Sequence, residues 1–131
     1  MIHTPFPVVL DACVLYPSPL RNLLMHIGLT DLCQPKWTAD IQEEWQRNLL
    51  ANNPKYEDVK LKRTVELMNK ALPDANVVGY ESIISGLTLP DPNDRHVLAA
   101  AIKSQSEVIV TANLKDFPRA YLQQFGIEAL H

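Results

Sequence analysis

The chain has 131 residues, of which 47% are hydrophobic and 21% are charged, so one globular domain with its own core is expected. The formal net charge of −3 excludes the strongly basic surface that identifies many nucleic-acid-binding proteins. No apolar run approaches the roughly 20 residues of a membrane span, and the opening segment lacks the basic flank and apolar stretch of a signal peptide, so no membrane association is expected.

Short apolar segments alternate with longer segments of helical periodicity along the chain. Short strands are predicted over residues 7–12, 31–35, 75–80, 107–111 and 127–130. Helices are predicted over residues 18–29, 38–51, 55–72 and 94–105, where Pro19 and the N-cap Thr38 mark two of the starts. This order predicts a three-layer α/β/α sandwich with a central parallel sheet, built as a single domain from residues 1–131.

Polar residues follow two of the predicted strands. Asp11 ends the first strand, Thr111 ends the strand EVIVT, and Asn113 and Asp116 come directly after it. Because ligands of parallel α/β sheets bind outside the carboxyl ends of the strands, the sequence predicts a site at this edge. Capping of the next helix explains Asn113 and Asp116 equally well, and the two roles are compatible.

Two acids in the segment LPDPNDRHVLAAAIKSQ precede an apolar helix. At about 100° per residue, Asp94 falls between Val97 and Leu98 and therefore on the side of the helix that faces the sheet. The alternative is an acid favoured by the helix dipole, with Asp91 as the N-cap. Capping explains an acid here but not its inward direction, so a functional role for Asp94 is favoured.

The helix TADIQEEWQRNLLA carries an apolar stripe of Ile41, Trp45 and Leu49. At about 100° per residue, Glu44 lies at the edge of this stripe and Glu43 lies on the opposite face. We therefore predict that Glu43 is a surface charge. Glu44 is either a second surface charge or a residue of the site.

The candidate residues are carboxylates, without histidine or cysteine at metal-ligand spacing. We predict that His26 and His96 bind no metal, and that His96 points outward. Cys13 and Cys33 are expected to be small core residues, and their number favours a reducing cytoplasm. A site of hard oxygen ligands suits Mg²⁺ or Mn²⁺ rather than zinc. Such an ion can stabilise the charge of a displacement at phosphorus, so phosphodiester hydrolysis is the leading reaction.

Four segments of the chain, taken together and in this order, resemble the PIN domain, specifically the VapC-type endoribonuclease toxins of toxin–antitoxin systems. The segments are VVLDACVLYPSPLRNLL, WTADIQEEWQRNL, LPDPNDRHVLAAAI and VIVTANLKDFP. The resemblance implies a metal site and a set of catalytic residues formed by Asp11, Glu44, Asp94 and Asp116, completed by Asn113 and Thr111. Cys13 stands where many relatives have Asn, so a side-chain amide near the site is lost. Asn113 stands where many relatives have Asp, which implies one well-bound metal and a second, weaker one.

The function implied by this resemblance is that of a Mg²⁺- or Mn²⁺-dependent endoribonuclease that cuts single-stranded RNA. Its expected partners are the RNA substrate, an antitoxin protein and a second copy of the chain. Arg21, Arg95 and Lys115 lie near the predicted edge and are candidates for binding phosphate, with surface ion pairs as the alternative. A catalytically degenerate PIN-like module that binds RNA or protein is the competing hypothesis. The four carboxylates favour the enzyme, because clustered like charges bring nothing to a module without catalysis.

Overall fold

The structure is a computed structural model that describes residues 6–131, so the first five residues of the predicted domain lie outside it. Four parallel strands form one sheet within this range, in the order β2-β1-β3-β4. The strands are β1 (Pro7–Leu10), β2 (Gln34–Lys36), β3 (Val108–Val110) and β4 (Glu128–Leu130). The helices are α1 (Ala12–Leu15), α2 (Ser18–Leu29), α3 (Ala39–Asn52), α4 (Asp58–Ala71), α5 (Glu81–Ile84), α6 (Arg95–Lys103) and α7 (Arg119–Gln123). Short 3-10 turns cover Pro73–Ala75, Pro92–Asp94 and Leu114–Asp116.

The central strands of the sheet are covered by helices. Val9 of β1 pairs with Lys36 of β2 and with Ile109 of β3, and it is fully buried. Helix α6 packs on β1 and β3, α2 packs on β2, and α7 packs on β4. This arrangement confirms the predicted parallel sheet flanked by helices.

Helix α3 is held by the apolar stripe that the sequence predicted. Ile41 and Trp45 are fully buried and Leu49 is nearly so. The hydroxyl oxygen of Thr38 accepts a hydrogen bond from the Ile41 N–H at 3.0 Å, which confirms Thr38 as the N-cap. The stripe fixes the rotation of the helix, and with it the direction of Glu44 beside the stripe.

The strand predicted over residues 75–80 is wrong. In the described chain this segment forms only an isolated parallel bridge between Trp37 and Asn76. The 3-10 turn Pro73–Ala75 precedes the bridge, and Gly79 has a φ of 75°, which interrupts the extended backbone. Val77 and Tyr80 are still buried, so the apolar pattern reported burial rather than a strand.

Short helices account for most of the other differences. The predictions do not include α1, α5 and α7, which have only four or five residues each, too few to show a helical period. Helix α6 begins at Arg95, one residue later than predicted, because Pro92–Asp94 forms a 3-10 turn. Within residues 6–131, no helix is long and apolar enough to cross a bilayer.

Candidate functional site

Asp11 and Thr111 meet at the carboxyl ends of the two central strands. The backbone N–H of Asp11 donates to the Val110 carbonyl oxygen at 3.0 Å, which extends the pairing of β1 with β3 to the site. The buried Asp11 carboxylate accepts hydrogen bonds from the Ala12 N–H at 2.8 Å and from the Thr111 hydroxyl at 2.9 Å. Burial raises the pKa of Asp11, although these two hydrogen bonds act in the opposite direction.

Cys13 is a half-buried neighbour of this pair. Its Sγ lies 3.6 Å from Asp11 Oδ2 and 3.6 Å from Thr111 Oγ1, and it accepts a hydrogen bond from the Ala112 N–H at 3.2 Å. Burial, followed by the charge of Asp11, raises the pKa of the Cys13 thiol. Cys13 therefore contributes a neutral group beside the acid, and not only core packing as the composition indicated.

Asp94 faces the other acids and does not cap the helix that it precedes. Asp91 caps the 3-10 turn, because its carboxylate accepts from the Asn93 N–H at 2.9 Å. Asp94 occupies the N-cap position of α6, but its side chain makes no capping hydrogen bond within the described chain. Burial, followed by the charges of Asp11, Asp91, Asp116 and Glu44, raises the pKa of Asp94 to about 7.

These residues border an open polar depression of about 630 Å³. Four of the predicted site residues line it, namely Glu44, Asp94, Asn113 and Asp116. Asp11 is not among the lining residues, but its charge raises the pKa of Asp94, so it lies close by. Six of the eleven lining residues are acidic, which makes the depression strongly negative and suited to a cation.

His96 also lines the depression, so the prediction that it points outward is wrong. Its Nε2 lies 3.5 Å from Glu44 Oε1, and the two side chains are only 15% and 26% exposed. Helix α3 brings Glu44 to the side of α6 that was expected to face solvent. Burial lowers the pKa of His96, but the hydrogen bond and charge of Glu44 outweigh burial, and the net shift is upward.

Arg21 does not lie where a phosphate could reach it, which corrects its assignment as a substrate-binding residue. The side chain is buried, and Nη1 donates to the carbonyl oxygens of Leu15 at 2.8 Å and Tyr16 at 3.2 Å. The guanidinium group also stacks over the Trp45 ring, 4.4 Å from its centroid. These contacts use the charge of Arg21 to satisfy the end of α1 and to cover the core.

Arg47, the Lys or Arg residue that lines the depression within residues 6–131, was not indicated by the sequence. Arg95 donates through Nε to the Pro92 carbonyl oxygen at 3.1 Å, and Lys115 is exposed in the turn that ends at Asp116. Neither is among the described residues that line the depression, whereas Arg47 of α3 is. Arg47 lies one helical turn after Glu43, with which it forms an ion pair.

A family model described as a PIN domain matches residues 7–115. The chain belongs to the PIN domain family. It is also similar to the protein named "Putative ribonuclease VapC50" from Mycobacterium tuberculosis, with 47% identity over 60 residues. That alignment covers 46% of this chain and 35% of the relative, so it spans about a third of the relative's length. No solved structure matches the chain. The family match confirms the resemblance seen in the four sequence segments.

The donor atoms of this PIN domain fit a hydrated magnesium ion better than a closed metal cage. Among residues 6–131, no three His, Cys, Asp or Glu side chains are close enough to hold one ion together. The expected convergence of four carboxylates on one ion is therefore not met in this conformation. Mg²⁺ keeps several of its waters and binds proteins through only one or two carboxylates, and the oxygen donors around the depression suit that mode of binding.

Proposed function

We propose that this PIN domain is a divalent-metal-dependent endoribonuclease that hydrolyses phosphodiester bonds in single-stranded RNA. The observation that carries the proposal is the cluster of six acidic side chains, including Glu44, Asp94 and Asp116, around one open depression. Burial and the charges of four other acids also raise the pKa of Asp94 to about 7. Like charges held together in this way destabilise the fold unless a cation neutralises them. A site for a cation and a phosphate accounts for this cluster of acidic side chains, which packing alone does not favour.

The proposed metal ligands are Asp11, Glu44, Asp94 and Asp116, one or two of which would hold Mg²⁺ or Mn²⁺ directly, with water completing the shell. When bound, the ion supplies the positive charge that attracts a phosphodiester and stabilises its displacement. The Asn113 N–H donates to Thr111 Oγ1 at 3.1 Å, so the Thr111 hydroxyl hydrogen is directed at Asp11 Oδ2. Thr111 thus fixes the orientation of the Asp11 carboxylate.

The remaining polar residues are proposed to act on the substrate. The side chain of Asn113 lines the depression and is neutral, so its amide can donate to a phosphate oxygen without adding negative charge. Arg95 begins α6 directly after Asp94, and Lys115 directly precedes Asp116 in its 3-10 turn, so both would contact neighbouring phosphates.

The proposed biological setting is a toxin–antitoxin pair in the cytoplasm, in which an antitoxin protein blocks the site. The resemblance to VapC-type toxins supports this setting, as does the name of the similar Mycobacterium protein. A second copy of the chain is a further proposed partner.

A degenerate PIN domain that binds RNA without cutting it is the second candidate function. The favouring observation is that Cys13 donates or accepts only weak hydrogen bonds beside Asp11, where many relatives carry an amide. The described chain also lacks three closely grouped metal-binding side chains. In this alternative, RNA binding persists and no cleavage occurs with either ion.

Cleavage of a labelled single-stranded RNA in Mg²⁺, Mn²⁺ or EDTA tests the proposal. We expect cleavage with either ion and none in EDTA. Asp11→Asn and Asp94→Asn should each lower the rate by about 100-fold or more, because catalytic groups that act as a unit fail together. Glu66→Gln, at an exposed acid on α4, is the control and should leave the rate unchanged. Binding without cleavage by the parent protein would establish the degenerate module, and full activity of Asp94→Asn would contradict the site.

A further inference from the structure

Arg47 is the only Lys or Arg among the described residues that line the acidic depression. It lies on α3, three residues after Glu44, and its side chain is 60% exposed. Nη1 contacts Oε2 of Glu43, whose side chain is 61% exposed. Arg47 is therefore paired with Glu43, an acid that lines the same depression.

A second groove joins the depression at this ion pair. It has a volume of about 380 Å³, lies between α3 and α4, and is lined by Glu43 and Arg47 together with Leu50, Asp58 and Lys62. Glu43 and Arg47 line both spaces, so the groove between α3 and α4 lies next to the acidic depression. A linear polymer could follow this path away from the site.

The electrostatics favour Arg47 as a phosphate contact. An RNA strand that approaches six acidic side chains needs positive charge beyond that of the bound metal. A guanidinium group binds phosphate through two parallel hydrogen bonds, which is the strongest such contact a side chain offers. An exposed ion pair such as Glu43–Arg47 adds little stability, so a phosphate can displace Glu43 at little cost.

We propose that Arg47 binds a phosphate of the RNA strand at the mouth of the depression, and that Glu43 competes with this phosphate for the guanidinium group. This inference rests on the proposed ribonuclease function and names a substrate contact within it. On binding, Arg47 exchanges a carboxylate for a phosphate, and Glu43 turns to solvent. The strand continues past Lys62 along the groove between α3 and α4.

The chain provides a matched control for this pair. Arg63 and Glu66 on α4 form an ion pair of the same residue types at 3.5 Å, with side chains 68% and 69% exposed. Neither residue lines the depression or the groove. Arg63→Ala and Glu66→Gln therefore make the same changes in charge and surface as Arg47→Ala and Glu43→Gln, at a different place on the molecule.

The test measures the affinity for a short fluorescein-labelled single-stranded RNA by anisotropy in Ca²⁺, over a range of salt concentrations, with the RNA checked for integrity on a gel. Arg47→Ala should weaken binding about tenfold, as expected for one strong phosphate contact. It should also lower the slope of log affinity against log salt by about 0.7, which corresponds to one contact with a single strand. In cleavage assays with Mg²⁺, KM should rise while kcat stays close to that of the parent.

Glu43→Gln should tighten RNA binding about two- to threefold at low salt, because the competing carboxylate is gone. This gain should vanish in the double variant Glu43→Gln/Arg47→Ala. The RNA affinity of Arg47→Lys should lie between those of the parent and Arg47→Ala, because lysine keeps the charge and loses the paired hydrogen bonds. The control variants on α4 should match the parent protein.

Results that differ from these expectations overturn all or part of the inference. Equal losses in Arg47→Ala and Arg63→Ala would reduce the effect to overall charge and exclude a specific contact. An unchanged affinity in Glu43→Gln would exclude the competition. If the parent cleaves RNA and Arg47→Ala binds as well as the parent, the inference fails and the ribonuclease function stands. If the parent neither binds nor cleaves RNA, both fail. Thermal melting of each variant checks that folding is intact.

Discussion

The side chains of His96 and Glu44 restrain each other inside the depression. Nε2 of His96 faces Glu44 Oε1 at 3.5 Å, while the buried Nδ1 has no hydrogen-bond partner among residues 6–131. A buried nitrogen without a hydrogen-bond partner costs free energy, so Nδ1 does not favour this position of the ring. The contact between Nε2 and Glu44 is therefore the polar interaction that holds the imidazole ring in place. His96 is therefore a positioning residue for a carboxylate that we propose binds the metal.

We predict that His96→Ala weakens Mn²⁺ binding by roughly tenfold, the usual effect of removing a side chain that orients a metal ligand. His96→Gln keeps an N–H donor near Glu44 and should recover part of the affinity. Calorimetric titration with Mn²⁺ measures both variants without any need for activity. His26→Ala, at an exposed position on α2, is the control. Parent-like binding by His96→Ala would show that Glu44 needs no such support.

The positions of single residues were predictable where one element determined them. Asp11 and Thr111 follow paired strands, and Asp94 was placed inward by the angle of its own helix. Arg47 was not predicted, and His96 was wrongly predicted to point outward, because their surroundings depend on how α3 and α6 approach each other. No periodicity within one helix encodes that approach. Arg21 was misassigned because a buried cation held by carbonyl oxygens and an aromatic ring looks, in sequence, like a surface charge.

Helices and strands were likewise predictable only where the residues of one element determined them. Helix α2 has the predicted bounds, because twelve residues show a clear period and Pro19 marks its start. The apolar residues of the segment after α4 predict a strand, but in the described chain this segment forms only the bridge from Asn76 to Trp37. Apolar residues report burial, and a strand also needs a neighbour with which to pair along its length.

The contact between α2 and β2 depends on a glycine. A Cβ atom at Gly28 would lie 2.8 Å from Leu72 Cδ1 and 2.8 Å from Pro35 Cγ, closer than real Cβ atoms come. The proline ring cannot move aside as a flexible side chain could. Gly28 therefore sets the distance at which α2 packs on the sheet.

We predict that Gly28→Ala destabilises the fold by about 1–3 kcal/mol, the usual cost of overpacking, even though alanine favours helices by about 1 kcal/mol. Gly86→Ala is the matched control, because a Cβ there would meet only the Ile83 carbonyl oxygen at 3.7 Å. This control should be neutral or slightly stabilising. Urea denaturation measures both free energies of unfolding, and equal values for the two variants would contradict the packing argument.

The charge of the whole chain understates the charge of its site. The net charge is only −3, yet six acids line one depression whose basic groups are Arg47 and His96. The fold therefore holds an unfavourable local charge, which the packed core must offset in the absence of a cation. The stability of the entire domain should consequently depend on pH and on divalent ions through this site.

Asp94→Asn tests this dependence. A carboxyl group with a raised pKa binds its proton more tightly in the folded state, so it stabilises the fold at low pH. That contribution is lost as the pH rises from the ordinary value of 3.8 to about 7. In EDTA above this window, Asp94→Asn should be as stable as the parent or more stable, because it keeps the shape and removes one charge. Within the window, the parent should lose stability relative to the variant as the pH rises.

Addition of Mg²⁺ or Mn²⁺ should reverse the order of the two proteins. An ion that binds only the folded state, at about ten times its dissociation constant, adds roughly 1.4 kcal/mol of stability, which raises the melting midpoint of a domain of this size by several degrees. The parent should show this rise, and Asp94→Asn and Asp11→Asn should largely lose it. Thermal melting in EDTA and across a titration with each ion supplies the measurement. If neither ion moves the parent's midpoint while Asp94→Asn is clearly destabilised in EDTA, then Asp94 acts in folding alone. The depression would then lack its proposed metal.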